Sequence, residues 1–279
     1  MIKIVADTTS GLSVDAAQKL GIPYLPQIIN FGDESYRDDT EMDSATFLKR
    51  LMTSSTLPKT AAPPPALYMP IFQELTDAGH TVIVLTPSAK VSGTFRSAEV
   101  AAQDFPGKDI HVVDTNIVAS GLGDLVMVAH NLAQQGMDAN AIIKQVQTLA
   151  ERWKVYFVVD TLEFLRRGGR IGGAAALVGG LLQVKPILTW DKDQITSFES
   201  QRTQKRAHAR LRELVYAECP RSEHAHLAVM QGGAEPQAKE LAEEFCANLG
   251  MAHVRVDLLP PAILTHAGPG VLGVSFFTE

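Results

Sequence analysis

The sequence is poor in cysteine, in long apolar runs and in positive charge. Its 279 residues contain two cysteines, Cys219 and Cys246. Two cysteines do not make the disulfide framework of a small secreted domain, and this usage fits a reducing cytosol. The first residues, Met1-Ile2-Lys3-Ile4-Val5-Ala6-Asp7, lead straight into a strand pattern. They lack the basic, apolar and small-residue regions of a signal peptide, so a cytoplasmic protein is expected. The most hydrophobic run, Ile171 to Val184, has 14 residues, including four glycines and a glutamine. A bilayer span needs about 20 residues, so this run is expected to be a buried helix. The net charge of −6 withholds the basic field that broad nucleic-acid binding requires. One local basic run, Arg202, Lys205, Arg206, Arg210 and Arg212, falls mostly on or beside one helix face and reads as solvated surface. Internal repeats, low-complexity tracts, a Walker-type phosphate loop and a Gly-x-Ser-x-Gly nucleophile elbow are all missing.

What is present is an ordinary globular balance, 46% apolar and 20% charged. The length exceeds what one core usually organises, so two domains are expected. Residues 1–154 alternate short apolar strands with helices: Ile2 to Ala6, a helix to Leu20 capped by Ser13, Tyr24 to Phe31, Thr81 to Leu85 and Ile110 to Val113. This order predicts a doubly wound, mostly parallel sheet. Residues 155–279 carry a strand at Val155 to Val159, a hairpin around Asp191-Lys192-Asp193, and further strands and helices in an α+β order.

Polar turns at strand ends supply the candidate site residues, because ligands of α/β folds gather there. In Val91-Ser92-Gly93-Thr94, a serine starting a helix is usually a cap. Beside a glycine, its hydroxyl and the Gly93 N–H also make an anion cradle at a helix N-terminus. Thr60 precedes Ala61-Ala62-Pro63-Pro64-Pro65, whose prolines hold the segment extended. His266 is read at the end of an apolar strand, with Gly268 and Gly270 opening space beside it. No second ligand stands at metal spacing near it, so no metal and no cofactor are expected. Gly268-Pro269-Gly270-Val271-Leu272-Gly273 matches G-x-G-x-x-G in letters only. It does not open a helix inside a βαβ unit, and a turn between two strands is expected instead. In Phe164-Leu165-Arg166-Arg167-Gly168-Gly169-Arg170-Ile171, arginines and a glycine suit a helix C-terminus. That does not account for Arg170, which follows both glycines.

The run Asp160-Thr161-Leu162-Glu163-Phe164-Leu165-Arg166-Arg167-Gly168-Gly169-Arg170-Ile171 resembles a signature of the DegV family of bacterial fatty-acid-binding proteins. Ser88-Ala89-Lys90-Val91-Ser92-Gly93-Thr94-Phe95, Thr265-His266-Ala267-Gly268-Pro269-Gly270-Val271-Leu272-Gly273 and Asp7-Thr8-Thr9-Ser10-Gly11-Leu12 are similar to other motifs of that family, at both ends and in the middle of the chain. The resemblance implies a fatty acid held between an N-terminal α/β domain and a C-terminal α+β domain. Thr60 and Ser92, with the Gly93 N–H, would bind the carboxylate. His266 and Arg170 would complete the polar network, with Thr265 at the head group. It also implies a separate ATP-dependent fatty acid kinase as partner, feeding phospholipid metabolism, and no catalytic residue in this chain. The chain departs from the family where Thr-Ser-Gln-Pro is usual and Thr60-Ala61-Ala62-Pro63 stands here.

The expected function is therefore to bind a long-chain fatty acid in an inter-domain tunnel and present its carboxylate to the kinase. Peripheral membrane contact is compatible with that role. The rival is a serine hydrolase of acyl esters using Ser92 and His266. A phosphate-ligand domain comes third, on strand-turn-helix units alone. Oligomeric state and acyl-chain preference are not legible in the sequence.

Overall fold

A computed structural model describes residues 1–177 and 184–279, and in it the chain divides into two compact units. The first comprises 1–43 and 58–151, the second 44–57 and 152–279. A cut at residue 154 leaves Ser44–Leu57 with the first part, whereas this segment belongs to the second unit. Its helix, Ser44–Thr53, buries Phe47, Leu48 and Leu51 at helical spacing and packs on the helix Pro261–Ala267.

In the first unit the strands are β1 (Ile2–Asp7), β2 (Tyr24–Leu25), β3 (Ile28–Phe31), β4 (Glu34–Arg37), β5 (Lys59–Ala61), β6 (Thr81–Thr86) and β7 (Ile110–Asp114). An all-parallel sheet runs in the order β2-β1-β6-β7. The central strand β6 reads Thr-Val-Ile-Val-Leu-Thr, and Val82 to Thr86 are all buried. Such unbroken apolar runs belong to parallel strands covered on both faces. Helices Pro65–Asp77 and Thr94–Ala102 bury Tyr68, Phe72, Leu75, Ala98 and Ala101 against Val5, Val82 and Val84. Helix Ala119–Gln134 packs on β1 and β6, with Ala139–Ala150 beside it. The stretch from Tyr24 to Phe31, expected as one strand, splits between two sheets. β2 joins the parallel sheet, while β3 joins an antiparallel sheet ordered β4-β3-β5. The break falls at Pro26-Gln27: Pro26 has no N–H for a ladder, and the Gln27 N–H points instead at Thr8 Oγ1 (3.0 Å) and Asp38 Oδ1 (2.8 Å).

In the second unit β8 (Trp153–Val158), β9 (Lys185–Asp191), β10 (Gln194–Gln201), β11 (Ala228–Gly232), β12 (Arg255–Leu258) and β13 (Val271–Phe277) form one mixed sheet, β10-β9-β8-β13-β11-β12. Helices Gln204–Glu218 and Glu235–Leu249 place Leu211, Leu214, Val215, Leu241 and Phe245 on Val158, Ile187, Val229, Val274 and Phe276. The β9–β10 hairpin turns at Lys192 and Asp193, whose φ values of 48° and 60° give the primed turn that matches strand twist.

Two expectations change here. The apolar run from Ile171 is not a buried α-helix where it is described. Gly172–Leu177 is a 3-10 turn beside β10, and only Ala174 of it is buried. Gly172 sits at φ 50°, left-handed backbone that an α-helix does not start from. Residues 178–183 of the same run lie outside the described residues. His266 does not end a strand: it lies in the helix Pro261–Ala267. Pro261 at the first helical position presets the backbone for a helix, and a short apolar run carries no period that separates helix from strand. The glycine turn after it joins a helix to β13, rather than two strands.

Candidate functional site

The first unit's site begins where β6 ends. Ser92 N–H donates to the Ser88 carbonyl (3.0 Å), closing the turn that leads to Gly93 at the N-cap of helix Thr94–Ala102. The first N–H groups of a helix have no intrahelical partner and point toward its N-terminal end. The Ser92 hydroxyl lies 2.9 Å from Thr94 Oγ1 and accepts from the Thr94 N–H at 3.3 Å. Ser92 thus stands one residue before the N-cap, which is Gly93 and carries no side-chain cap, and its oxygen faces the first helical N–H. A Cβ placed on Gly93 would meet Ala62 Cβ at 3.6 Å, and Ser97 Oγ donates to the Pro63 carbonyl. The proline-stiffened segment thus runs alongside the start of this helix. Thr60 enters it from β5, half-buried and in register with Ile29.

Behind Ser92 lies a buried polar layer that motif reading alone does not assemble. Thr94 Oγ1 accepts from Gln27 Nε2 (2.9 Å), which also donates to Asp7 Oδ1 (3.1 Å). The same Asp7 oxygen accepts from the Thr9 N–H (2.8 Å) and hydroxyl (2.6 Å). Asp38 Oδ1 takes the Thr8 hydroxyl at 2.6 Å and the Gln27 N–H at 2.8 Å. The second oxygens of both aspartates are buried and have no hydrogen-bond partner among the described residues. Burial pushes the Asp7 carboxyl up to about 6 and the Asp38 carboxyl up to about 7, against the hydrogen bonds that favour ionisation. The available signal in the sequence is the polar run Asp7-Thr8-Thr9-Ser10 at a buried strand end. Gln27 and Asp38 carry none.

The second unit's site joins the arginine-glycine turn to the C-terminal histidine. The helix Glu163–Arg167 ends with Gly168 N–H on the Phe164 carbonyl and Arg170 N–H on the Leu165 carbonyl, both 2.9 Å. A Cβ on Gly168 would lie 2.2 Å from His266 Nδ1, and a Cβ on Gly270 would lie 2.0 Å from Asp160 Oδ2. A side chain at either place would have to displace the His266 ring or the Asp160 carboxylate, so the two motifs meet closely through their glycines. Arg170 folds back, Nη1 donating to the Gly168 carbonyl at 2.7 Å. Burial first, and the Arg170 cation second, press the His266 imidazole down to about 4, so it is neutral near pH 7. The Arg170 cation is thus a charged neighbour of this neutral imidazole. Thr265 is buried and its hydroxyl donates to the Pro261 carbonyl at 2.9 Å, which commits its hydrogen to the helix backbone. Arg166 and Arg167 both pair with Glu163 on the surface, as a helix end predicts.

Gly268 to Gly273 lead into β13 and open no helix, which removes the dinucleotide reading. Among the described residues no group of three His, Cys, Asp or Glu side chains is placed to hold a metal ion. No helix among them is long and apolar enough to cross a membrane.

Comparison with known proteins agrees over the full length. A DegV family model, described as "Uncharacterised protein, DegV family", matches residues 1–279. A DegV domain-containing protein of Halalkalibacterium halodurans is 33% identical over 279 residues, covering 100% of this chain and 99% of the relative. The structure of a fatty-acid-binding DegV family protein from Thermus thermophilus superposes with a TM-score of 0.90 at 32% identity, over 100% of this chain and 99% of that one. The structure of DegV, a fatty acid binding protein from Bacillus subtilis, gives 0.89 at 31% identity, with 100% and 99% covered. An α/β unit with a parallel sheet, a second unit with a mixed sheet, and the family motifs in place at both ends and the middle lead to one conclusion: this chain belongs to the DegV family.

Proposed function

We propose that this protein binds a long-chain fatty acid, with Thr60, Ser92 and the Gly93 N–H holding the carboxylate. The observation that carries this reading is the hydroxyl and helix-end N–H at Ser92-Gly93, packed beside the Thr60 segment. Relatives alike over their whole length are fatty-acid-binding proteins. Donors are what the ligand needs, since a buried carboxylate without them is costly. The acyl chain supplies affinity: each buried methylene contributes roughly 0.8 kcal/mol, so ten contribute about 8 kcal/mol gross.

In the finer form of the proposal, the acyl chain occupies an inter-domain tunnel. A separate ATP-dependent kinase phosphorylates the presented carboxylate, and the chemistry belongs to that partner. Arg170 and His266 then serve the head group, a cation and a neutral imidazole suited to an acyl phosphate. Thr265 supports the helix that carries His266 rather than donating to the ligand. The deciding experiment is mass spectrometry of an organic extract of the purified protein, followed by delipidation and rebinding of oleate. Recovery of a free fatty acid with saturable rebinding is expected. A lipid-free protein that takes up no fatty acid after delipidation defeats the reading, and hydrolysis of an acyl ester lost on Ser92→Ala favours the hydrolase.

A further inference from the structure

The 2.9 Å contact between Ser92 Oγ and Thr94 Oγ1 does not by itself say which hydroxyl donates. Its neighbours decide. Asp7 Oδ1 accepts from the Thr9 backbone N–H, so it is an acceptor. The Gln27 amide must therefore face it with NH2 rather than with its carbonyl, and both Nε2 hydrogens are used, one on Asp7 and one on Thr94 Oγ1. Thr94 is buried, and its oxygen is thereby an acceptor toward Gln27. Its own hydrogen needs an acceptor, because a buried hydroxyl hydrogen left unpaired is destabilising. Ser92 Oγ is the acceptor within reach. Ser92 then receives both the Thr94 hydroxyl and the Thr94 N–H, the latter at 3.3 Å. Two donors point at its oxygen, and its own hydrogen is free to point away from the helix.

We propose that Gln27 and Thr94 are positioning residues that polarise this relay, so that Ser92 meets its ligand as a hydrogen donor and the site selects an ionised carboxylate head over a neutral hydroxyl head. The proposal rests on Ser92 being a carboxylate ligand, as argued above. The order Asp7, Gln27, Thr94, Ser92 has one direction, with every hydrogen assigned. A carboxylate accepts only, and a site presenting a fixed donor suits it. A fatty alcohol, which can donate or accept, gains nothing from the fixed direction.

The relay is tested with oleate and oleyl alcohol as probes, binding measured on the delipidated full-length protein. Thr94→Val removes the hydroxyl at nearly constant shape and is expected to weaken oleate about tenfold while changing oleyl alcohol less than about threefold. Thr94→Ser restores the hydroxyl and is expected to restore the preference. Gln27→Glu places an acceptor where the NH2 stood, so the Thr94 hydroxyl turns toward it and Ser92 must donate inward. That reversal is expected to lose the oleate preference even if Thr94→Val proves too unstable to assay. Ser92→Ala separates two failures. Should Ser92→Ala weaken oleate while Thr94→Val and Gln27→Glu leave the oleate-to-alcohol ratio at the wild-type value, the relay is wrong and the binding site stands. Should Ser92→Ala itself leave oleate binding unchanged, the carboxylate assignment falls, and the relay with it.

Discussion

The two polar centres differ in how they are built and in the sign of the charge they suppress. The Ser92 centre is assembled from behind by hydrogen bonds, with two buried aspartates pushed toward their neutral forms. The His266 centre is assembled by close contact, glycines of one motif admitting side chains of the other, with a histidine pressed toward neutral beside an arginine. One centre is an array of directed hydroxyls and N–H groups; the other keeps a cation. The difference shows how polar groups can be held in place by two routes. Directional bonding tolerates spacing but demands orientation, whereas interlocked packing demands vacancy at Cβ.

That contrast is broken most severely at Gly270. An added methyl would run into the Asp160 carboxylate at 2.0 Å, on a backbone whose φ is 81°. Gly270→Ala is expected to destabilise the protein by about 2 kcal/mol, left-handed strain being joined by displacement of the Asp160 carboxylate. Gly21→Ala shares the positive φ but has open space around it and is expected to cost about 1 kcal/mol. Urea unfolding of the two variants measures the difference; equal midpoints would show that the interlock contributes nothing.

The second test uses pH, because the centres titrate in opposite senses. Asp7 and Asp38 are raised from 3.8 to about 6 and about 7. The folded protein holds their protons more tightly than the unfolded chain. Their contribution is full below about 3.8 and is lost as pH rises through 6 to 7. His266 is lowered from 6.5 to about 4, so its contribution is full above 6.5 and is lost as pH falls from there toward 4. Asp38→Asn is expected to remove part of the decline on the alkaline side, and His266→Gln part of the decline on the acid side. Each effect is on the order of 2 kcal/mol across its window. Unfolding free energies at pH 4.5, 6 and 8, chosen about these windows, check the signs, and identical profiles for both variants would refute the opposition.

Much of the fold is legible in the sequence where a period or a boundary is strong. The unbroken Val82-Ile83-Val84-Leu85 announces a covered parallel strand, and Lys192-Asp193 sits at an evident hairpin. What is not legible is decided by tertiary contact. The helix Ser44–Thr53 looks like part of the first unit's alternation, yet its apolar face has its packing partner more than 200 positions downstream. The helix Pro261–Ala267 is too short to show a period. Of the site, Ser92, Gly93, Thr60, His266 and Arg170 stand out because each is, or lies within three residues of, a backbone-shaping glycine or proline. Gln27 and Asp38 do not, since a buried polar residue declares itself only by its partners. The glycines at 168 and 270 look like a cap and a turn in the sequence, and their reason is a side chain from the other motif.

The third test addresses the cation directly. Arg170 Nη1 donates to the Gly168 carbonyl, and the side chain is half-buried. Arg170→Ala is expected to shift stability by less than about 1 kcal/mol. If the head-group proposal holds, it reduces kinase-dependent phosphorylation of the bound fatty acid at least about tenfold while oleate binding changes little. Wild-type turnover in a folded Arg170→Ala protein would leave this arginine a structural clasp for the turn, and the two centres would then differ in function as well as in construction.

The smallest effect is expected at Ala61-Ala62, where the family resemblance implies serine and glutamine. Ala62 Cβ stands in ordinary contact range of Gly93, 3.6 Å from the position a Cβ would take there. Ala61 is exposed, at the last residue of β5. A serine at 61 therefore adds a hydroxyl at the surface and leaves the fold alone. A glutamine at 62 is the more telling change. Its amide carries both donor and acceptor beside the Ser92-Gly93 turn, and its extra atoms must pass the start of helix Thr94–Ala102. The relay behind Ser92 already fixes the donor in front, so an added amide has little to orient. Ala61→Ser with Ala62→Gln is thus expected to change oleate affinity by no more than about threefold, roughly one exposed hydrogen bond. A tenfold gain would mean that directional bonding at this centre is incomplete without the missing pair. A tenfold loss would mean that the small side chains are needed for close approach, and that the first centre, like the second, depends on vacancy.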